Sequence, residues 1–261
     1  MTSIGGSLEE LAEEVAMALR GALGAELADR STAAAVRTFL GVNLSPVFGV
    51  KQGVVVGERE TAEPMFECLL VEPRHSPAMP LLANGAELVP ADAVYGAVET
   101  TDDLGQETLA VAAARIAALK RVHRLPLFKG DELANPYLGL LVARGGLTGS
   151  RLLDAVASEN DGRPFDEQID LVCVLDHGLL GHAEVAPEGA VSLDLPLQAS
   201  PRWRLTWLDL GERTLLGFYL ALWESLQART LRPSRLHVVL RALRSGGALA
   251  LPAAHGIDHG E

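Results

Sequence analysis

Hydrophobic and polar positions follow two different periods along this chain. Apolar residues at three- and four-residue spacing predict helices over residues 7–29, 31–40, 106–122, 147–157 and 210–231. Continuous apolar runs predict strands over 47–50 and 53–56 (one strand or a pair), 65–71, 93–101, 137–143 and 169–176, then a weaker hairpin over 178–182 and 191–195. Helices and strands alternate throughout, so the pattern predicts one α/β domain over 1–245 and a flexible tail over 246–261.

Polar residues punctuate this pattern. Asp29 or Ser31 is expected to cap the second helix, and Asp102 or Asp103 the helix over 106–122. Four prolines within residues 72–90 argue against a central strand or a regular helix there. We expect at most a short extended segment near Leu81 in this stretch.

The composition indicates a substantial core and an acidic surface. The chain has 261 residues, is 48% hydrophobic and carries a formal net charge of −12. Such a balance argues against a broad nucleic-acid-binding face. The last third is nevertheless locally basic, and its arginines lie among Trp203, Trp207, Phe218, Tyr219 and Trp223. Interleaved aromatic residues and arginines can bind nucleic acid, although core plus a solvated rim is the commoner arrangement.

The two cysteines and the absence of long apolar runs indicate in which cellular compartment the protein is expected. Cys68 and Cys173 lie inside apolar strand runs, with no CxxC or Cys/His cluster, which predicts two buried, reduced thiols. The sequence has neither a cleavable signal pattern nor an apolar run near 18 residues. We therefore expect a cytoplasmic protein with no membrane partner.

Two acidic residues inside apolar strands are the sharpest chemical feature. Glu67 lies in the run 65–71, and Glu99 lies in the run 93–101. A carboxylate in such surroundings requires a partner, a proton or a metal. One interpretation is a metal site shared by the two strands. The plainer one makes Glu67 an exposed residue, with Glu99 capping a helix or meeting an arginine.

The order of strand, acidic strand, Pro-rich loop, acidic strand and helix resembles the restriction-endonuclease-like, PD-(D/E)xK, nuclease superfamily. More narrowly, it is similar to a bacterial family whose pieces match 53–55, 66–71, 94–101 and 169–178 of this chain. The resemblance implies a mixed central sheet flanked by helices. It also implies a Mg²⁺ ion held by Glu67 and Glu99, with Thr101 at the position of the motif lysine.

Three departures from this motif change the functional expectation. Glu67 replaces an aspartate, and Thr101 replaces the lysine that would position the attacking water. The carboxylate that many members carry on the preceding helix is missing near residues 33–35. A missing electrostatic donor typically lowers rates by about 10²–10³. Lys51, Lys120, Lys129 and Arg121 are the cations that we consider as substitutes.

The preferred hypothesis is therefore a catalytically degenerate nuclease-fold protein that acts by binding, and the resemblance implies a bacterial defence or toxin-associated system. The first alternative is an active Mg²⁺-dependent nuclease with a variant Glu67/Glu99 site. The second is an unrelated α/β interaction domain. The acidic surface favours a protein partner over nucleic acid, and a homo-oligomer is left open.

Other chemical candidates have plainer explanations. His177 and His182 are expected to be surface residues, and Asp170 and Asp176 to form turns or caps. The glycine-rich stretch 145–150 lacks the lysine of a phosphate-binding loop and is better explained as a turn that opens a helix.

Overall fold

Five helices and nine strands make up the part of the chain that the computed structural model describes, which is residues 8–57, 61–75, 86–124, 136–185, 191–193, 203–229 and 231. The helices are α1 (Leu8–Asp29), α2 (Thr32–Asn43), α3 (Gln106–Arg121), α4 (Gly149–Asn160) and α5 (Thr214–Gln227). The strands are β1 (Gly49–Val56), β2 (Thr61–Val71), β3 (Glu87–Pro90), β4 (Val94–Thr101), β5 (Leu138–Ala143), β6 (Leu171–Val174), β7 (Gly178–Val185), β8 (Val191–Leu193) and β9 (Trp203–Asp209).

These strands form one mixed sheet. Their order is β3-β1-β2-β4-β5-β6-β7-β8, and β9 pairs with β7. The pairs β1/β3, β4/β5 and β5/β6 are parallel, whereas β2 runs antiparallel to both β1 and β4. The α/β class and the mixed sheet with flanking helices are therefore confirmed. The extent of the single domain and the flexibility of the tail stay predictions, since residues 246–261 lie outside the described ranges.

Helices cover both faces of the sheet with apolar side chains. On one face, α1, α2 and α5 pack in a cluster that includes Leu40, Leu140 and Phe218. On the other, α3 and α4 pack in two clusters that include Ile116 and Phe66. Every residue of β5 is buried, as expected for a central parallel strand with helices on both sides.

Most predicted elements are present with shifted boundaries. The helix predicted over 31–40 continues to Asn43, and β2 begins at Thr61, before the start of the strand predicted over 65–71. Of the helix predicted over 210–231, α5 covers Thr214–Gln227, and its later start is explained by Gly211, which has a left-handed φ of 52°. No helix in the described ranges has an apolar stretch long enough to cross a bilayer.

The Pro-rich excursion contains a strand that the sequence did not predict. β3 pairs in parallel with β1, with Pro90 opposite Val56 at its end. Proline is tolerated there because β3 is an outer strand of the described sheet, so its missing N–H removes no bond to a further strand. The segment predicted near Leu81 lies outside the described residues.

One helix cap is confirmed and another is wrong. Ser31 Oγ accepts a hydrogen bond from the Ala34 N–H at 3.4 Å, which selects Ser31 over Asp29. The cap of α3 is Gly105, not an aspartate. Asp102 accepts a 2.5 Å hydrogen bond from the Thr32 hydroxyl instead, and this bond ties the end of β4 to the start of α2.

Both cysteines are free and buried, which confirms the sequence expectation. Burial raises the pKa of Cys68 to about 12 and also raises that of Cys173. Because thiolates are the reactive form, we expect Ellman's reagent at pH 8 to label neither thiol in the native chain and both in urea. Labelling of the native chain within minutes would contradict this burial.

Candidate functional site

The two acidic residues lie on neighbouring strands, as the sequence predicts. β2 and β4 pair antiparallel with Leu69 opposite Ala97, and the same register carried two residues further brings Glu67 towards Glu99. The Glu67 charge also raises the pKa of Glu99, as expected for carboxylates that are close together. The strand pairing therefore places the two acidic residues at neighbouring positions of the sheet.

Glu67 lies in a β-bulge. Register with β1 changes from Lys51 opposite Leu69 to Gly53 opposite Phe66, so two residues, Glu67 and Cys68, face a single residue of β1. The Cys68 side chain enters the core, whereas the Glu67 side chain is 47% exposed. The bulge thus turns the carboxylate out of the apolar layer.

Arg37 of α2 neutralises Glu67. Its Nη1 atom donates to Glu67 Oε2 at 3.1 Å and to the Glu67 carbonyl at 2.9 Å. The same nitrogen lies 3.0 Å from Gln52 Oε1 on β1. Arg37 therefore binds both the side chain and the backbone of the bulge, and links α2 to the first two strands.

Glu99 is more deeply buried and has an arginine of its own. Its side chain is 13% exposed, and Arg115 Nε of α3 lies 2.8 Å from Glu99 Oε2. Arg115 Nη2 also donates to the Met65 carbonyl at 2.8 Å, and the guanidinium lies over the Phe66 ring at 5.4 Å. Burial raises the pKa of Glu99, and the Arg115 charge opposes that shift.

The arginine partners come from opposite faces of the sheet. The buried residues of α2 belong to the cluster that contains Leu140, while those of α3 belong to the clusters on the other face. Glu67 and Glu99 are thus each held by a different helix, and the four charged groups sum to zero. The structure places the two acidic residues on adjacent strands but gives each its own counter-ion.

Thr101 carries no charge into this arrangement. Its hydroxyl donates to the Asp103 carbonyl at 3.0 Å, and this bond helps to form the turn between β4 and α3. The segment 33–35, where a helix carboxylate was sought, lies in α2 and supplies none. The catalytic and metal-binding roles of Glu67, Glu99 and Thr101 stay predictions.

Of the cations considered as substitutes for the motif lysine, the described ones bind other carboxylates. Lys51 lies 2.5 Å from Glu87, and Arg121 lies 2.5 Å from Glu167. Lys120 forms an ion pair with Asp170, and Lys129 lies outside the described residues. The cation that reaches Glu99 is Arg115, so the plainer interpretation of Glu99 meeting an arginine is confirmed, although the sequence reasoning did not name the residue. The available signal was an arginine in the middle of an alanine-rich helix that follows the second acidic strand.

Mg²⁺ does not fit this donor set as it stands. The ion takes about six oxygen ligands and usually keeps several waters. Within the described ranges, no three His, Cys, Asp or Glu residues are grouped closely enough to hold a metal. A metal on Glu99 would also have to compete with the Arg115 guanidinium, which binds Oε2 of the same carboxylate.

Asp170 has a structural role that the sequence expectation of a turn or cap missed. Its Oδ2 atom accepts from the Gly139 N–H at 2.6 Å and lies 2.8 Å from Lys120 Nζ. Both side chains are buried. Asp176, by contrast, occupies a left-handed turn residue with φ 61°, as predicted. His182 is half-buried against Phe165, not on the surface, and burial lowers its pKa.

The aromatic residues of the last third do not form one surface in the described part of the chain. Tyr219 and Trp223 pack against the cluster beneath α1, α2 and α5. Trp207 packs on the opposite face, against the cluster beneath α3 and α4. This separation weakens the interpretation of a joint aromatic–arginine platform for nucleic acid.

Comparison with known proteins shows that the chain resembles solved structures in fold, while neither family models nor curated sequences match it. No protein-family model and no curated protein sequence matches the chain. Among solved structures, NucC of E. coli MS115-1 in its apo form aligns with a TM-score of 0.69 at 18% identity, covering 91% of this chain and 100% of that one. The cAAA-bound form of the same protein gives 0.68 at 17%, covering 93% and 100%. NucC of P. aeruginosa ATCC27853, also cAAA-bound, gives 0.67 at 15%, covering 92% and 99%. The chain therefore has the restriction-endonuclease-like fold seen in NucC.

Proposed function

We propose that this chain is a catalytically degenerate nuclease-fold protein that acts by binding a partner. The observation that carries the proposal is the pairing of Glu99 with Arg115 at 2.8 Å. In a metal-dependent nuclease of this fold, the corresponding carboxylate would hold the divalent ion. Here its charge is already balanced by a group on the protein.

Electrostatics supports this proposal in two ways. Two carboxylates with two guanidiniums have no net charge, so the site has little attraction for a divalent cation. Displacing Arg115 would also leave its guanidinium, whose side chain is 22% exposed, without its carboxylate. Thr101 adds no positive charge that could activate water or stabilise a phosphate.

The fold also bears on the biological setting. NucC structures were determined both without ligand and with cAAA. We propose that this chain acts in a bacterial defence system, the setting that the resemblance implies, and that it binds a partner there instead of cleaving nucleic acid. The formal charge of −12 favours a protein partner over nucleic acid. Self-association is a further proposal, and multi-angle light scattering would measure it.

The alternative of an active nuclease has one specific observation in its favour. Arg115 is a cation beside Glu99, and such a group could stabilise a phosphate if it moved away from the carboxylate. The likeness of the chain to the NucC fold argues against the second alternative, an interaction domain of an unrelated fold.

Metal titration and cleavage assays test the proposal together. We expect calorimetry with Mg²⁺ and Mn²⁺ to detect no saturable binding, and DNA and RNA to stay intact, because the carboxylates are already paired. The matched control is Glu67→Ala with Glu99→Ala, which should behave as the native chain does in both assays. Metal binding and cleavage that vanish in this variant would establish the active nuclease instead. Adding cAAA to each assay checks whether a ligand found in NucC structures alters the outcome.

A further inference from the structure

A groove opens beneath α1, on the face of the sheet that also carries α2 and α5. Its volume is about 420 Å³. Its walls are mainly apolar and include Leu23, Leu27, Leu175 and Leu215. A space of this size and chemistry suits an apolar ligand or a row of apolar side chains from a helix.

Two glycines in the interior of α1 line the same groove. A Cβ atom added at Gly21 or Gly24 would meet nothing within 4 Å. Glycine in a helix interior costs about 1 kcal/mol relative to alanine. The surrounding protein therefore gives no steric reason for either glycine, whereas an occupant of the groove would gain close access to the helix backbone.

The charge around the groove is negative. Arg20 lies at the rim and is held between Asp176 at 2.8 Å and Glu212 at 3.0 Å. α1 itself contains six carboxylates and Arg20 as its one basic residue, and the charge stays negative after Arg213 and Arg30, which pair with carboxylates of α1, are counted. An occupant with apolar and basic side chains would complement both the walls and the rim.

A segment of this chain has that chemistry. Residues 232–244 contain four arginines and no aspartate or glutamate. Within them, Leu236, Val239, Leu240 and Leu243 have the spacing of one apolar helix face. These four residues lie outside the described ranges.

The described chain also ends in a suitable place. Leu231 is buried in the same apolar cluster as Leu23 and Leu215. Leu231, which directly precedes the segment 232–244, therefore lies on the face of the sheet on which the groove opens. The nine residues from 232 to 240 span about 30 Å when fully extended, which is longer than a typical strand, so residue 240 can reach the groove from Leu231. We propose that the groove beneath α1 is the docking site of the basic segment 232–244 of this same chain.

Disulfide trapping tests the docking in the full-length protein. The test pair is Gly24→Cys with Leu240→Cys, and Gly21→Cys is a second attachment point because its Cβ also meets open space. The natural thiols Cys68 and Cys173 are buried and do not compete. The control pair joins Leu240→Cys to Val111→Cys, an exposed position of α3 on the opposite face of the sheet.

We expect mild oxidation to link residues 24 and 240 at least about tenfold faster than residues 111 and 240, because docking raises their effective concentration. The product should migrate as a monomer on a non-reducing gel, at a rate independent of protein concentration. Equal rates for the test and control pairs would overturn the proposal. A concentration-dependent dimer would also overturn it, by assigning the groove to a second copy. The test does not depend on whether the acidic pair binds metal.

Discussion

Replacing Lys120 with methionine is expected to lower the free energy of unfolding by about 3–5 kcal/mol, the usual effect of breaking a buried ion pair. The Lys120 side chain is 2% exposed, and its Nζ atom binds both Asp170 and the Gln168 carbonyl. Without the ammonium, the Asp170 carboxylate would stay buried beside the start of β6, and among the described residues only the Gly139 N–H would donate to it. Urea denaturation at pH 7.5 measures the change.

The neighbouring residue supplies a matched control for this prediction. Arg121→Met removes a cation from the same turn of α3, but the pair of Arg121 with Glu167 lies at the surface, so we expect no measurable change. In the double variant Lys120→Met with Asp170→Asn, the asparagine oxygen can still accept from Gly139, and most of the lost stability should return. If Lys120→Met were as harmless as Arg121→Met, the buried pair would not be a stabilising contact.

Lys120 also illustrates which features of this fold the sequence could predict. Apolar runs such as 138–143 are local signals, and the strands they predict are present. From the sequence, Lys120 is one candidate substitute for the motif lysine, and a cation near the end of a helix is already explained by the helix dipole. Its burial depends on Asp170 and the Gln168 carbonyl, which are distant in sequence and which no local pattern identifies.

The candidate site shows the same division. That Glu67 and Glu99 occupy adjacent strands follows from two apolar runs joined by one connection, so the sequence predicted it. Their partners do not follow, because Arg37 and Arg115 approach from helices on opposite faces of the sheet. The bulge at Glu67 could not be predicted from the sequence either, since it arises from the register between β1 and β2.

Replacing Arg115 with methionine is expected to lower the free energy of unfolding by about 3 kcal/mol at pH 7.5, since Glu99 would lose its counter-ion while staying largely buried. The pKa of Glu99 is already raised by burial, and without Arg115 it should rise further. A carboxyl group with a raised pKa favours the folded state below its unfolded pKa, and that contribution is lost as pH rises through the folded value. The deficit of the variant should therefore shrink as pH falls from 7.5 towards the ordinary glutamate value, as urea denaturation across this range can measure.

The double variant Glu99→Gln with Arg115→Met is the control for charge, and its stability deficit should be smaller and nearly independent of pH. The single Arg115→Met variant also probes function. With Glu99 released, we expect calorimetry to detect Mn²⁺ binding that the native chain lacks, while DNA and RNA stay intact because Thr101 still supplies no cation. If the native chain cleaves nucleic acid and Arg115→Met abolishes that cleavage, Arg115 has taken over the role of the motif lysine, and the protein is an active nuclease.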